Sequence, residues 1–230
     1  QMEKLSGLIV LGDVGPAACA ELLKCKDYQI PIVLVNSDMQ GTGRICCVQT
    51  DNYLLGRVIG EILLRQITAG GNVLACAGER STPANAASIQ GLVDYVQEHG
   101  AGRKIYKLYY GYSPEERDKL RRMLRKYFAQ HPDISCCCSV TARGSVELAC
   151  ALEECGLAGV LPAVGSDLFP QNLESLRRGT FQNLMFKNPY RQGWLAAEQL
   201  FRYIFYGSAA DAVFVKSEVV FQSSIPMYEG

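Results

Sequence analysis

The stretch Val160–Gly193, VLPAVGSDLFPQNLESLRRGTFQNLMFKNPYRQG, decides the fold. The apolar run Val160–Val164 reads as a strand that ends in Gly165-Ser166-Asp167. Leu168, Leu173 and Leu176 then recur at near-helical spacing, and Gly179 stops the helix where a C-terminal glycine is expected. Phe181–Phe186 reads as a second strand running into Lys187-Asn188-Pro189, and a long helix opens at Tyr190. Two strands separated by a helix predict parallel pairing through a right-handed crossover. In open α/β sheets ligands sit beyond the carboxyl ends of strands. Asp167 and Lys187, the polar residues at two such ends, are therefore the first candidate site residues.

Outward from this stretch the same alternation continues. Leu8–Leu11 and Ile30–Val35 read as strands, the second too continuously apolar to be half-exposed, with Asn36-Ser37-Asp38 at its end. Further strands are expected at Arg44–Gln49, Asn72–Ala77, Lys104–Tyr109, Ile134–Val140 and Val213–Phe221. Helices are expected from Asn52 to about Thr68 and over Pro83–Glu98. Ser113-Pro114-Glu115-Glu116 opens another as a Ser-x-x-Glu capping box. Gly144–Cys155 reads as a helix closed by Gly156. The alternation predicts βαβ units and a parallel α/β sheet.

The chain has 230 residues, 48% of them apolar, and a formal net charge of zero. That is enough to bury a real core, and neutrality gives no electrostatic argument for nucleic acid or an anionic membrane. No apolar run is long enough to predict a membrane span, and no signal-peptide core precedes the first strand. Ten cysteines lie mostly inside apolar patterns, as small hydrophobes do, which points to a reducing, cytoplasmic setting. No Cys-x-x-Cys pair occurs, and His99 and His131 end separate helices, so no metal or other cofactor is expected. The chain has neither a Gly-x-Ser-x-Gly elbow nor a phosphate-binding Gly-x-x-x-x-Gly-Lys-Ser/Thr loop, so it does not read as an enzyme. The basic run Arg117–Lys126 reads as a solvated helix face with Glu115, Glu116 and Asp118 as partial partners.

Four segments carry a family resemblance: IPIVLVNSD, GRICCVQTDNYLLGRVIGEIL, Gly165–Asp167 and Asn188–Gly193. Together they resemble the effector-binding domain of lac-repressor-family (LacI) transcription regulators, which share the periplasmic-binding-protein type I fold with sugar-binding proteins. The resemblance implies two doubly wound parallel-sheet lobes joined by three crossover strands. Residues 1–50 with 188–216 would form an N-terminal lobe lacking its leading part. Residues 51–187 with 217–230 would form a complete C-terminal lobe, and the ligand cleft would lie between them.

The same resemblance implies ligand contacts at Asn36 and Asp38, and an aromatic wall from Tyr110 or Tyr112. The family's sugar-clamping arginine falls on Ser88, its usual Asn-Asp on Thr141-Ala142, and its crossover glutamine on Lys187; Asp167 is kept. Arg143 is expected to supply charge beside Thr141. A sugar, polyol or derivative as effector, an isologous homodimer, and DNA contact only through a headpiece outside these residues complete what the resemblance implies. A periplasmic or extracytoplasmic sugar-binding protein is the alternative.

Overall fold

The computed structural model describes residues 4–12, 16–67 and 70–229. The elements run β1 (Leu8–Leu11), α1 (Pro16–Lys24), β2 (Ile32–Val35), β3 (Cys46–Thr50), α2 (Asn52–Gln66), β4 (Asn72–Gly78) and α3 (Pro83–His99). They continue with β5 (Ile105–Tyr109), α4 (Pro114–Gln130), β6 (Ile134–Ser139), α5 (Ala142–Glu154), β7 (Ala163–Ser166) and α6 (Pro170–Arg177). The chain then forms β8 (Asn183–Phe186), α7 (Pro189–Tyr206), β9 (Ala212–Val215), β10 (Glu218–Val220) and a short 3-10 helix over Gln222–Tyr228. The expected helix end at Thr68 lies outside the described residues.

Two compact units result. Unit 1 comprises Gln1–Asp51, Thr82–Ala84 and Asn188–Lys216; unit 2 comprises Asn52–Ser81, Asn85–Lys187 and Ser217–Gly230. The sheet of unit 1 has the order β1-β2-β3-β9, all parallel. Ile32, Leu34 and Cys47 bury one of its faces with Cys25 and Leu22, and Val33, Cys46, Val48 and Val215 bury the other against Ala196 of α7.

Unit 2 is doubly wound, with strand order β10-β8-β7-β6-β4-β5. β10 is antiparallel and the rest are parallel. The chain leaves β4 for β5 on one side and returns to β6 on the other, so the topological switch lies at β4. Period-two alternation sorts the Cys136-Cys137-Cys138 run onto both faces. Cys137 joins Leu120, Leu124 and Leu148 from α4 and α5, whereas Cys136 and Cys138 join Leu55, Ile59, Leu92 and Val96 from α2 and α3. All three thiols are fully buried.

Two expectations are corrected. The strand expected over Val213–Phe221 is two strands: β9 belongs to the sheet of unit 1 and β10 to that of unit 2. Lys216 and Ser217 lie at the break between them, where pairing passes from a parallel to an antiparallel partner. The strand expected at Val160 begins at Ala163, one residue beyond Pro162. Proline has no N–H to give to a ladder, and Pro162 instead accepts from Cys137 N–H at 2.9 Å.

Helices α2 and α3 approach so closely that a Cβ on Gly56 would fall 1.9 Å from the Ser88 carbonyl oxygen, and one on Gly91 would fall 2.0 Å from the Tyr53 carbonyl. Both obstacles are backbone atoms, so repacking a side chain does not relieve them. Gly56→Val is expected to lower stability by about 1–3 kcal/mol or more. Urea unfolding checks this, and an unchanged midpoint would contradict the close packing.

Candidate functional site

The carboxyl ends of β6, β7 and β8 in unit 2 converge on a polar network. Ser139 Oγ donates to the Thr141 carbonyl at 2.9 Å and accepts from Thr141 N–H at 3.3 Å. Ser145 Oγ donates to the same carbonyl at 2.8 Å and accepts from Ser166 N–H at 2.8 Å. Ser166 Oγ closes the loop by donating to the Ser139 carbonyl at 2.9 Å. Thr141 caps α5 by accepting from Gly144 N–H at 3.2 Å. Asn172, wholly buried in the first turn of α6, donates to the carbonyls of Ser166, Ala142 and Asp167 at 2.9, 3.1 and 3.3 Å. These bonds satisfy strand-end groups that no ladder partner reaches.

On this base sits a charged pair. Asp167 has φ of 61°, in the left-handed region, where Asp and Asn are the commonest non-glycine residues. Its N–H donates to the Met185 carbonyl at 2.7 Å, fixing it to the neighbouring strand. Its carboxylate accepts from Lys187 N–H at 3.4 Å and lies 3.5 Å from Lys187 Nζ. Lys187 Nζ also donates to the Val140 carbonyl at 2.9 Å. The two side chains are 19% and 13% exposed, so solvent reaches them without fully screening them. Asp167 does not cap α6: the cap residue is Phe169, which makes no side-chain cap bond.

Beside β6, toward the switch strand, the Tyr110 hydroxyl shares a short hydrogen bond with Thr141 Oγ1. Tyr110, expected as an aromatic wall, is only 4% exposed, and burial pushes its phenol well up. It meets Tyr112 edge-to-face, with ring centroids 6.3 Å apart. Tyr112 is half-buried, and its hydroxyl accepts from Asn85 Nδ2 at 2.6 Å. The aromatic surface left to solvent there belongs to Tyr112. Arg143 is exposed on the first turn of α5.

Unit 2 thus brings Tyr110, Tyr112, Thr141, Arg143, Asp167 and Lys187 to one edge. Ser88 is elsewhere in the same unit, buried in α3 with its carbonyl against α2. Asn36 and Asp38 belong to unit 1. Asn36 ends β2 with φ of 73°, its N–H donating to the Val48 carbonyl at 2.9 Å. Asp38 is held bidentately by Arg44 at 2.6 and 2.7 Å. Arg44 also reaches the Asp211 carboxylate at 2.8 Å. The hydrogen bond to Asp38 holds the guanidinium above its usual range.

Sequence reasoning missed Asn85, Ser139, Ser145, Ser166 and Asn172. The signal available for two of them, Ser139 and Ser166, was a small hydroxyl at a strand end. His99 and His131 both sit at helix C-termini, one ending α3 and the other capping α4. No group of three or more metal-binding side chains exists among the described residues. What the edge offers is a carboxylate, an ammonium and a phenol on a rigid, hydrogen-bonded floor, a set suited to holding hydroxyl groups.

A model of the periplasmic binding protein domain matches residues 3–207. The chain belongs to that family. Its fold is the type I periplasmic-binding-protein-like α/β fold with two lobes. A search of curated proteins finds no match. Among solved structures, the chain is similar to GanP, a glucose-galactose binding protein from Geobacillus stearothermophilus. The identity is 20% and the TM-score 0.85, over 97% of this chain and 79% of that one. It is similar to a solute binding protein of an ABC transporter from Burkholderia graminis, solved with D-arabinose, at 19% identity and TM-score 0.86, over 96% and 76% of the two chains. A putative LacI transcriptional regulator from Bacteroides fragilis matches at 16% identity and TM-score 0.86, over 97% and 78%.

The Asp167–Lys187 pair is testable by a double-mutant cycle. Lys187→Met alone is expected to cost about 1–3 kcal/mol of stability, because it removes a charged donor from a half-buried carboxylate and from the Val140 carbonyl. Asp167→Asn and Lys187→Met combined should cost less than the sum by at least about 0.5 kcal/mol. Additive losses in chemical unfolding would show that the pair is not coupled.

Proposed function

We propose that the chain is the effector-binding domain of a LacI-type transcription regulator. It takes a small, polyhydroxylated molecule at the strand-end edge of unit 2, acts in the cytoplasm as a homodimer, and reaches DNA through a headpiece outside these 230 residues. The observation that carries the binding reading is the partly exposed Asp167 carboxylate, locked in a left-handed strand end beside Lys187. A carboxylate so placed accepts from two vicinal hydroxyls, and the hydrogen-bonded floor beneath it limits the ordering cost of binding. An effector then acts by favouring one conformation over another.

The reading of a regulator is supported by the thiols. All ten cysteines are free, and seven of them are buried in strands or against the sheet of unit 1. Burial pushes the Cys47 and Cys136 thiols up to about 12 and raises those of Cys137 and Cys138 as well, so at neutral pH they are inert apolar groups. Such a set suits a reducing compartment. The second reading, a solute-binding protein of a sugar transporter, is favoured by the ligands and transporters named in the similar structures.

Two measurements test this. In a thermal-shift panel of neutral sugars, polyols and their charged derivatives, a hit at about 100 times its dissociation constant should add about 2.7 kcal/mol. Asp167→Ala should then weaken the hit by about 10- to 150-fold, the loss of about 1.5–3 kcal/mol of charged hydrogen bonding. Wild-type affinity in that variant would sink the site assignment. Separately, protein prepared without reductant should titrate ten thiols once unfolded. In the native state the exposed Cys155 should react first. Several missing thiols would favour the transport reading.

A further inference from the structure

Helix α7 of unit 1 is amphipathic in an unusual sense: both of its sides are apolar. Ala196 and Leu200 face the sheet, yet Tyr190, Trp194, Phe201 and Phe205 form an exposed stripe down the outside, with Tyr206 beside it. Tyr190 is 82% exposed and Phe205 66%. A stripe of this size on a soluble helix marks a contact surface. We propose that the outer face of α7 is an isologous interface with a second copy of this chain.

The spacing of the stripe fits a two-fold axis. Its four aromatics are separated by four, seven and four residues, a pattern that is the same read in either direction. Two copies of α7 packed antiparallel about an axis near Ala197 place Tyr190 against the partner's Phe205, and Trp194 against the partner's Phe201. The stripe is about 22 Å long at 1.5 Å per residue. Small residues lie at the centre, Gly193 and Ala197, and a Cβ on Gly193 would meet no atom within 4 Å. The helices can therefore approach closely.

A depression of about 460 Å³ is lined by Glu198, Phe201, Arg202, Tyr206 and Ser208. It borders the C-terminal half of the aromatic stripe. Glu198 and Arg202 are four residues apart on α7 but form no ion pair with each other or with other described residues. The five exposed aromatics present roughly 600 Å², taking half to four-fifths of about 150–250 Å² each. With the stems of Arg191, Glu198 and Arg202 this approaches the roughly 800 Å² per partner of a standard interface.

The inference rests on the self-association in the proposed function and not on its ligand. Sedimentation equilibrium of the 230-residue chain from about 1 to 100 µM should show a dimer whose population depends on concentration. Phe201→Glu should give a monomer throughout that range, and Tyr190→Ala should weaken association about tenfold or more, both with wild-type circular dichroism. A dimer indifferent to the α7 variants would overturn this surface while leaving self-association standing. A wild-type monomer at every concentration would overturn both, and the sugar panel reports on the ligand independently.

Discussion

The structure depends on one constraint: a parallel sheet covered by helices on both faces has no solvent-facing side. In unit 2 the strands are apolar in both directions, and consecutive cysteines of β6 serve opposite cores. Polar chemistry is therefore pushed to the strand ends. There the ladder stops, and backbone groups need partners that side chains must supply. The serine, threonine and asparagine network across β6, β7 and β8 answers that need, and it is the reason the carboxyl edge is both polar and rigid.

The same constraint explains why the edge is suited to binding. A left-handed residue at a strand end costs of the order of 1–2 kcal/mol, and three non-glycine residues here adopt it at or just past strand ends: Asn36, Asp167 and Asn188. Asn188 uses the turn to cap α7, accepting from Arg191 N–H at 3.0 Å. Asp167 uses it to hold a carboxylate clear of the ladder beside Lys187. Strain placed in this way, supported from below by hydrogen bonds, is a common property of ligand sites.

Much of this was legible in the sequence, because the architecture follows from periodicity and stop signals. The alternation of strands and helices, the proline-led start of α4 and the glycine after α6 are local signals, and the elements stand where those signals put them. Asp167 and Lys187 were legible for the same reason, as polar residues closing apolar runs. Three things were not. The split between β9 and β10 depends on which sheet each half joins, and one continuous apolar run does not encode that. The fate of Asp38 depends on Arg44 and on Asp211, which is 167 positions beyond Arg44 in the chain. The burial of Tyr110 depends on Thr141, brought to it by the pairing of β4 with both β5 and β6. Each is a tertiary fact set by partners remote in sequence.

The central claim is that the carboxyl edge of the unit 2 sheet receives the ligand. Amide chemical-shift mapping by NMR during titration with a sugar found in the panel tests it most directly. The largest early shifts should fall on Thr141, Arg143, Gly144, Asp167 and Lys187. Shifts concentrated instead at the opposite edge, around Asn72, Lys104 and Asp133, would contradict the account.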